Sequence, residues 1–263
     1  MSYIREFASF SGECPFQCLH CYTFCNGYEN ESFPYVDCII NDLQNKMPFD
    51  IIYVSGHKEN FIDIDLGLEL VEQIFFNFNC DILVTTRNVF KVHQLKRLAR
   101  LNEEMKSQNR NLFFCVSLPA MDSYKKLEPN VLIPSPAERI EFIKNLHEYG
   151  IVNFLTIRPL CPNSFIPISE ILRIIDSCYL YTNLVISSGI VVDKTILNRL
   201  HGFPRNFKYT SGHLMECLNN DIEMQYVDVD EELFVIQQKC DEMNLRLFNH
   251  SLPAISYMKQ QSK

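Results

Sequence analysis

Short, nearly continuous apolar runs recur along this chain. Each is followed by a stretch in which apolar residues return at helical spacing. Asp50-Ile51-Ile52-Tyr53-Val54-Ser55-Gly56, Asp81-Ile82-Leu83-Val84-Thr85-Thr86-Arg87 and Asn111-Leu112-Phe113-Phe114-Cys115-Val116-Ser117-Leu118 are the clearest runs. A strand without polar alternation is covered on both faces, which is the condition of a parallel sheet. Residues 3–8, 153–158 and 183–192 read as further strands, and Leu245-Arg246-Leu247-Phe248 as a strand-like run near the end. Between them lie helical stripes, such as Val36, Ile39, Ile40 and Leu43, and Val92, Leu95, Leu98 and Met105. Asp65 is placed to cap the helix that carries Leu68, Val71, Ile74 and Phe75. Ser135-Pro136-Ala137-Glu138 opens another, with a capping serine, a proline at the first position and a glutamate that closes the capping box. Helices are also expected over 167–179 and 231–244.

Strand and helix alternate about six times, a pattern met by an open doubly wound sheet or by a full or partial barrel. In either, the carboxyl ends of the strands share one face, and ligands bind there. Nothing in the sequence marks a linker, a repeat or a second domain. Residues 1–263 are therefore expected to form one domain, with a β/α core over 1–192 and an extension over 193–263.

The densest chemistry is Cys14-Pro15-Phe16-Gln17-Cys18-Leu19-His20-Cys21-Tyr22, directly after the first strand. Three thiols at C-x3-C-x2-C spacing can wrap one soft metal centre. A structural zinc site would need a fourth ligand from His20 or Cys25. A closed electron-transfer cluster would take Cys25. A reactive cysteine would need one partnered thiol rather than three. The last possibility is a cluster with three protein ligands and one open iron. The chain has 11 cysteines, an odd number, and most of those outside the loop read as small buried apolar residues, Cys80, Cys115 and Cys178 among them. With no visible secretory leader, a reducing cytoplasm is expected. No apolar run reaches membrane-spanning length, so no membrane association is expected. A net charge of -8 disfavours broad nucleic-acid binding.

The cysteine spacing after a first strand, Tyr22 behind the last cysteine and the following β/α units together resemble the radical S-adenosylmethionine (SAM) enzymes. The resemblance covers roughly residues 3–192. It implies a partial (β/α)6 barrel of parallel strands with a C-terminal extension covering the open side. It also implies one 4Fe-4S cluster on Cys14, Cys18 and Cys21, whose fourth iron is chelated by SAM. Reductive cleavage of SAM would give a 5′-deoxyadenosyl radical that abstracts hydrogen from a small-molecule, nucleotide or peptide substrate. The electron would come from a donor of flavodoxin or ferredoxin type. The alternative is a non-catalytic metal protein with Cys25 as fourth ligand.

Carried onto this sequence, the family's SAM contacts fall at strand ends. Ser55-Gly56 match the turn that receives the SAM amine, although the acidic residue that usually follows is absent and His57 stands there instead. Thr86 and Arg87 end the third strand, and Arg87 suits the SAM carboxylate; Arg158 is an alternative partner for it. Ser117 matches a ribose contact, Ser188 an adenine contact, and Tyr22 flanks the cluster. Tyr209, His213, Tyr226 and His250 are candidates for substrate binding or hydrogen donation, with Tyr257 beside them. The nearest subgroup resemblance is to spore photoproduct lyase-like proteins, through Ser55-Gly56, Thr85-Thr86-Arg87, Leu127-Glu128-Pro129, Ser135-Pro136-Ala137-Glu138-Arg139 and His250-Ser251. The hydrogen-donor cysteine expected before the strand-two serine is Val54 here, which argues against photoproduct repair. Cys217 and Cys240 are too sparse for an auxiliary cluster.

Overall fold

The computed structural model describes residues 3–23, 33–210 and 224–261. Its main element is a 7-stranded sheet of parallel strands. Strands β1 (Arg5–Ala8), β2 (Ile51–Val54), β3 (Asp81–Thr86), β4 (Leu112–Ser117), β5 (Val152–Leu160) and β6 (Leu184–Gly189) lie side by side in chain order. The helices between them are α1 (Val36–Lys46), α2 (Ile64–Phe78), α3 (Val92–Ser107), α4 (Pro136–Glu148) and α5 (Ile168–Cys178). This is the α/β arrangement that the alternation of runs and stripes demands. The cap of α2 is Asp63, which accepts from Leu66 N, rather than Asp65. Asp63 takes the cap because its backbone is still extended while Asp65 is already helical.

The sheet has two apolar faces, and residue parity assigns them. Ala8, Ile52, Val54, Ile82, Val84, Phe114, Val116, Leu155 and Val185 join the helices in the larger cluster. Ile51, Tyr53, Leu83, Phe113, Cys115, Phe154, Leu184 and Ile186 form a smaller one on the inner side. Each large apolar side chain among them contributes roughly 1.5–3 kcal/mol through burial, so a register slip of one residue would forfeit both faces at once.

Beyond β6 the chain does three things. Past Gly189 it leaves the main sheet and forms β7 (Val191–Val192), which joins β8 (Tyr209–Thr210) and β9 (Gln225–Val227) in a small antiparallel sheet ordered β7-β9-β8. A Cβ on Gly189 would stand 2.8 Å from the Val227 carbonyl oxygen, so only glycine permits this crossing. The short helix α6 (Lys194–Arg199) follows β7, and α7 (Asp230–Glu242) packs on the outer layer through Ile236 and Cys240. Then β10 (Leu247–Phe248) adds to the main sheet beside β6, and α8 (Ser251–Gln261) enters the inner side. Ala254 and Ile255 of α8 are fully buried against the inner apolar cluster. The Tyr53 hydroxyl meets Ser251 Oγ at 2.9 Å, and Lys259 pairs with buried Asp81 at 2.6 Å. No helix among the described residues is long and apolar enough to cross a membrane.

Candidate active-site cavity

Along each inner strand face the residues change character from bottom to top. The lower positions are Ile51, Leu83, Phe113, Phe154 and Leu184, and α8 covers them. Two or four residues on, at the carboxyl ends, the same parity brings Ser55, Thr85, Arg87, Ser117, Thr156, Arg158 and Ser188 to the lining of one cavity of about 810 Å³. Polar residues with no apolar layer above them collect where a ligand, not a core, is to be held.

The turn after β2 is built tightly. Ser55 adopts a left-handed backbone with φ 65°, and its Oγ accepts from Asn60 N at 2.8 Å. Asn60 in turn donates to Ala8 O at 2.9 Å. A Cβ on Gly56 would come within 2.7 Å of the Phe7 ring. The turn therefore lies flat against the end of β1, where the cysteine loop begins.

Cys14, Cys18 and Cys21 all line the cavity. Their loop is pinned from several sides. Leu19 N donates to Leu127 O at 2.8 Å, Asn130 Nδ2 to Pro15 O at 2.7 Å, and Arg199 to Gln17 O at 3.2 Å. Phe16 and Cys18 are buried against Ile133. Burial pushes the Cys18 thiol up to about 12 and raises that of Cys14; the neighbouring Cys21 raises both further, and Cys14 raises Cys18. Left alone, the Cys14 and Cys18 thiols stay protonated, and a soft cation would take the place of their protons. The donor set, three thiols lining one cavity beside the Arg87 guanidinium, fits an iron–sulfur cluster. Cys25 lies outside the described residues. Cys18, His20 and Glu128 also come within 4.8 Å of one another. Both carboxylate oxygens of Glu128 are already taken by arginines, however, so this trio is not a separate metal site.

Behind the loop sits a buried charge network. Glu128 is fully buried and binds Arg87 Nε through one oxygen at 2.6 Å and Arg139 through the other at 2.7 Å. Burial would raise its carboxyl, but Arg139 and Arg87 outweigh that and hold it at about 2. Arg139 is itself fully buried and donates also to Ser117 O at 2.7 Å. Arg87 stands 3.3 Å from His20 Nε2, and burial together with Arg87 pushes His20 down to about 3. Arg87 is thus tied to the cysteine loop, with little freedom to clamp a carboxylate.

Glu59 amends the expectation that no acidic residue follows Ser55-Gly56. Its carboxylate lines the cavity and accepts from Arg87 N at 2.8 Å, Thr86 Oγ1 at 2.9 Å and Phe61 N at 3.1 Å. It ties the turn after β2 to the end of β3, and burial raises its pKa despite those donors. Thr86 is accordingly not a cavity residue. It has the outward parity, and its hydroxyl is spent on Glu59 and Asn88 N, while Thr85 faces inward.

The remaining expected residues divide cleanly. Tyr22, Ser55, Gly56, Arg87, Ser117, Arg158 and Ser188 line the cavity, as do Tyr226 and His250. Tyr22 Oη meets His57 Nδ1 at 3.0 Å, and burial pushes His57 down to about 4. Tyr209 is exposed on β8 beside Phe207, and Tyr257 packs on Phe248, both away from the cavity. His213 lies outside the described residues. Cys80 and Cys178 are plain core residues, whereas Cys115, equally buried, faces the cavity. Thr85, Cys115 and Thr156 were within reach of parity counting from Leu83, Phe113 and Phe154. Glu59 and Glu128 carry no such signal, because their partners are remote in sequence.

No protein-family model matches the chain, and no curated protein matches it in sequence. Solved structures do. SuiB of Streptococcus suis bound to S-adenosylmethionine superposes with a TM-score of 0.61 at 13% identity, over 95% of this chain and 51% of that one. SuiB bound to its precursor peptide SuiA gives a TM-score of 0.61 at 13% identity, over 95% and 49%. The two share a fold. This chain spans about half the length of SuiB.

Proposed function

We propose that this protein is a radical SAM enzyme of partial (β/α)6-barrel fold, binding one 4Fe-4S cluster through Cys14, Cys18 and Cys21. The observation that carries the reading is the meeting of these three thiols with the polar ends of the inner strands in one cavity. The fold shared with SuiB, a protein solved with SAM bound, supports it. So does the resemblance of the cysteine loop. When bound, cluster and SAM together supply a carbon-centred radical able to take hydrogen from an unactivated C–H bond.

The chain's own residues bind, orient and shield. Ser55 and Gly56 present a flat backbone turn to the SAM amine, which Glu59 braces from behind. Ser117 and Ser188 offer hydroxyls for the ribose and the adenine edge, and Tyr22, fixed by His57, closes that side. Arg87 keeps a positive charge against the cysteines while Glu128 fixes its position. The apolar tier and α8 seal the lower end against water. Tyr226 and His250 stand on the substrate side. Within the superfamily we place the chain nearest the spore photoproduct lyase-like proteins, without photoproduct repair as its reaction. An electron donor of flavodoxin or ferredoxin type and a cytoplasmic setting complete the reading.

Anaerobic reconstitution with iron and sulfide, reduction with dithionite and addition of SAM test it. The expected result is a brown protein with about four irons per chain that releases methionine and 5′-deoxyadenosine. A fully reconstituted cluster that leaves SAM intact would overturn the reading.

A further inference from the structure

Arg158 is the cavity's anomaly. It lies two residues before the end of β5, on the inner face, and its guanidinium reaches across to the segment between β10 and α8. There it donates to the Asn249 carbonyl and stands 3.1 Å from His250 Nδ1. These contacts carry no countercharge. Among the described residues no carboxylate pairs with it, in contrast to Arg87, which Glu128 neutralises. Its Nε is buried and makes no hydrogen bond. Burial lowers its pKa, the mark of a cation removed from water without an anion to meet it.

Two neighbours share this open state. Thr156, two residues earlier on the same face, is 5% exposed, and its hydroxyl has no partner beyond a soft contact with the Cys115 thiol. The first turn of α8 forms the adjoining wall, with Ser251 and Leu252 lining the cavity. Their amides are first-turn donors without intrahelical partners, at the positive end of an 11-residue helix. A half-buried guanidinium, an unmatched buried hydroxyl and a helix N-terminus thus all line the same cavity. A cation whose Nε is buried without a partner gains from an anion that completes it.

We propose that Arg158, Thr156 and the first turn of α8 form an anion subsite that holds the carboxylate or phosphate of the substrate, making that substrate a small anionic molecule or the anionic end of a larger one. This rests on the radical SAM reading for the word substrate, and it takes Arg158 away from the SAM carboxylate. A guanidinium fork and helix amides serve both carboxylate and phosphate, so the two sources are separated by experiment.

Calorimetric titration of the reconstituted, SAM-saturated protein with inorganic phosphate and, separately, with acetate reads the subsite, with chloride as the ionic-strength control. At least one of the two anions is expected to bind, the tighter one naming the substrate's group. Arg158→Gln should weaken that binding tenfold or more and change SAM affinity less than threefold. Arg158→Lys should recover part of the loss. Thr156→Val, which keeps the charge and the volume, should weaken the anion about threefold, and it serves if Arg158→Gln fails to fold by circular dichroism. Neither anion binding better than chloride would overturn the proposal. So would Arg158→Gln losing SAM while keeping the anion, which would return Arg158 to the SAM carboxylate. The metal-free protein is titrated in parallel, since the subsite belongs to the polypeptide. Anion binding there, with no SAM cleavage by the reconstituted protein, would sink the cofactor reading and leave the subsite standing.

Discussion

Replacing Glu128 by glutamine tests the network behind the cysteine loop. The side chain keeps its shape, but its charge disappears between two guanidiniums, one of them fully buried. Breaking a buried ion pair from one side costs about 3–5 kcal/mol, because the remaining charge loses its compensation. Linkage gives a second measure of the same quantity. A carboxyl held at about 2, against an ordinary 4.5, contributes about 3 kcal/mol at neutral pH. The folded pKa is the depressed one, so this stability is present above about pH 4.5 and is lost as pH falls toward 2. Roughly half should be gone by pH 3. Urea unfolding of wild type and Glu128→Gln at pH 7 and at pH 3 reads both. The expected difference is about 3–5 kcal/mol at pH 7, equivalent to about 10 °C in melting temperature, and clearly less at pH 3. Other titrating groups cancel in the comparison. A difference below about 1 kcal/mol at pH 7, or one that does not shrink in acid, would refute the network's role. Iron content after reconstitution should fall as well, since Arg87 and the loop it touches lose their anchor.

Cys18→Ser should lose the iron, and Cys25→Ser should keep it, as read by iron analysis and the visible spectrum; loss in both would point to a closed four-ligand site. Gly189→Ala must displace the Val227 carbonyl and should cost about 1–3 kcal/mol, with faster hydrogen exchange at the Val227 amide, which donates to Ile190 O at 3.0 Å. Ser55→Ala leaves the buried Asn60 amide without its acceptor and should cost about 1–3 kcal/mol in urea unfolding, whereas Ser55→Gly should cost less because glycine relieves the left-handed backbone.

The sheet was legible because parallel strands write their burial into unbroken apolar runs. Ile51 to Val54 and Leu112 to Val116 admit little else. The last two elements were less so. Two-residue β10 and α8, which holds Pro253 in its first turn, have no periodic stripe of their own, and only the waiting inner face explains why α8 forms. The cysteine loop announces itself by spacing, which is local. The residues that hold it do not. Glu128 reaches it through Arg87 and Arg139, and Glu59 meets Arg87 across two strands. Thr85 and Thr86 differ by one position along β3, and that one position decides between the bore and the helix side.

The placement of α8 has a bearing on how the protein is made. Ile51, Leu83, Phe113, Phe154 and Leu184 face inward, and the helix that covers them is encoded far downstream of β6. While the chain is being synthesised, the outer helices can dock on their strands one after another. The inner surface stays wet and adhesive until residues 251–261 have emerged. A ribosome stalled between β6 and α8 therefore carries a nearly complete sheet with its greasiest side uncovered, a natural client for a chaperone.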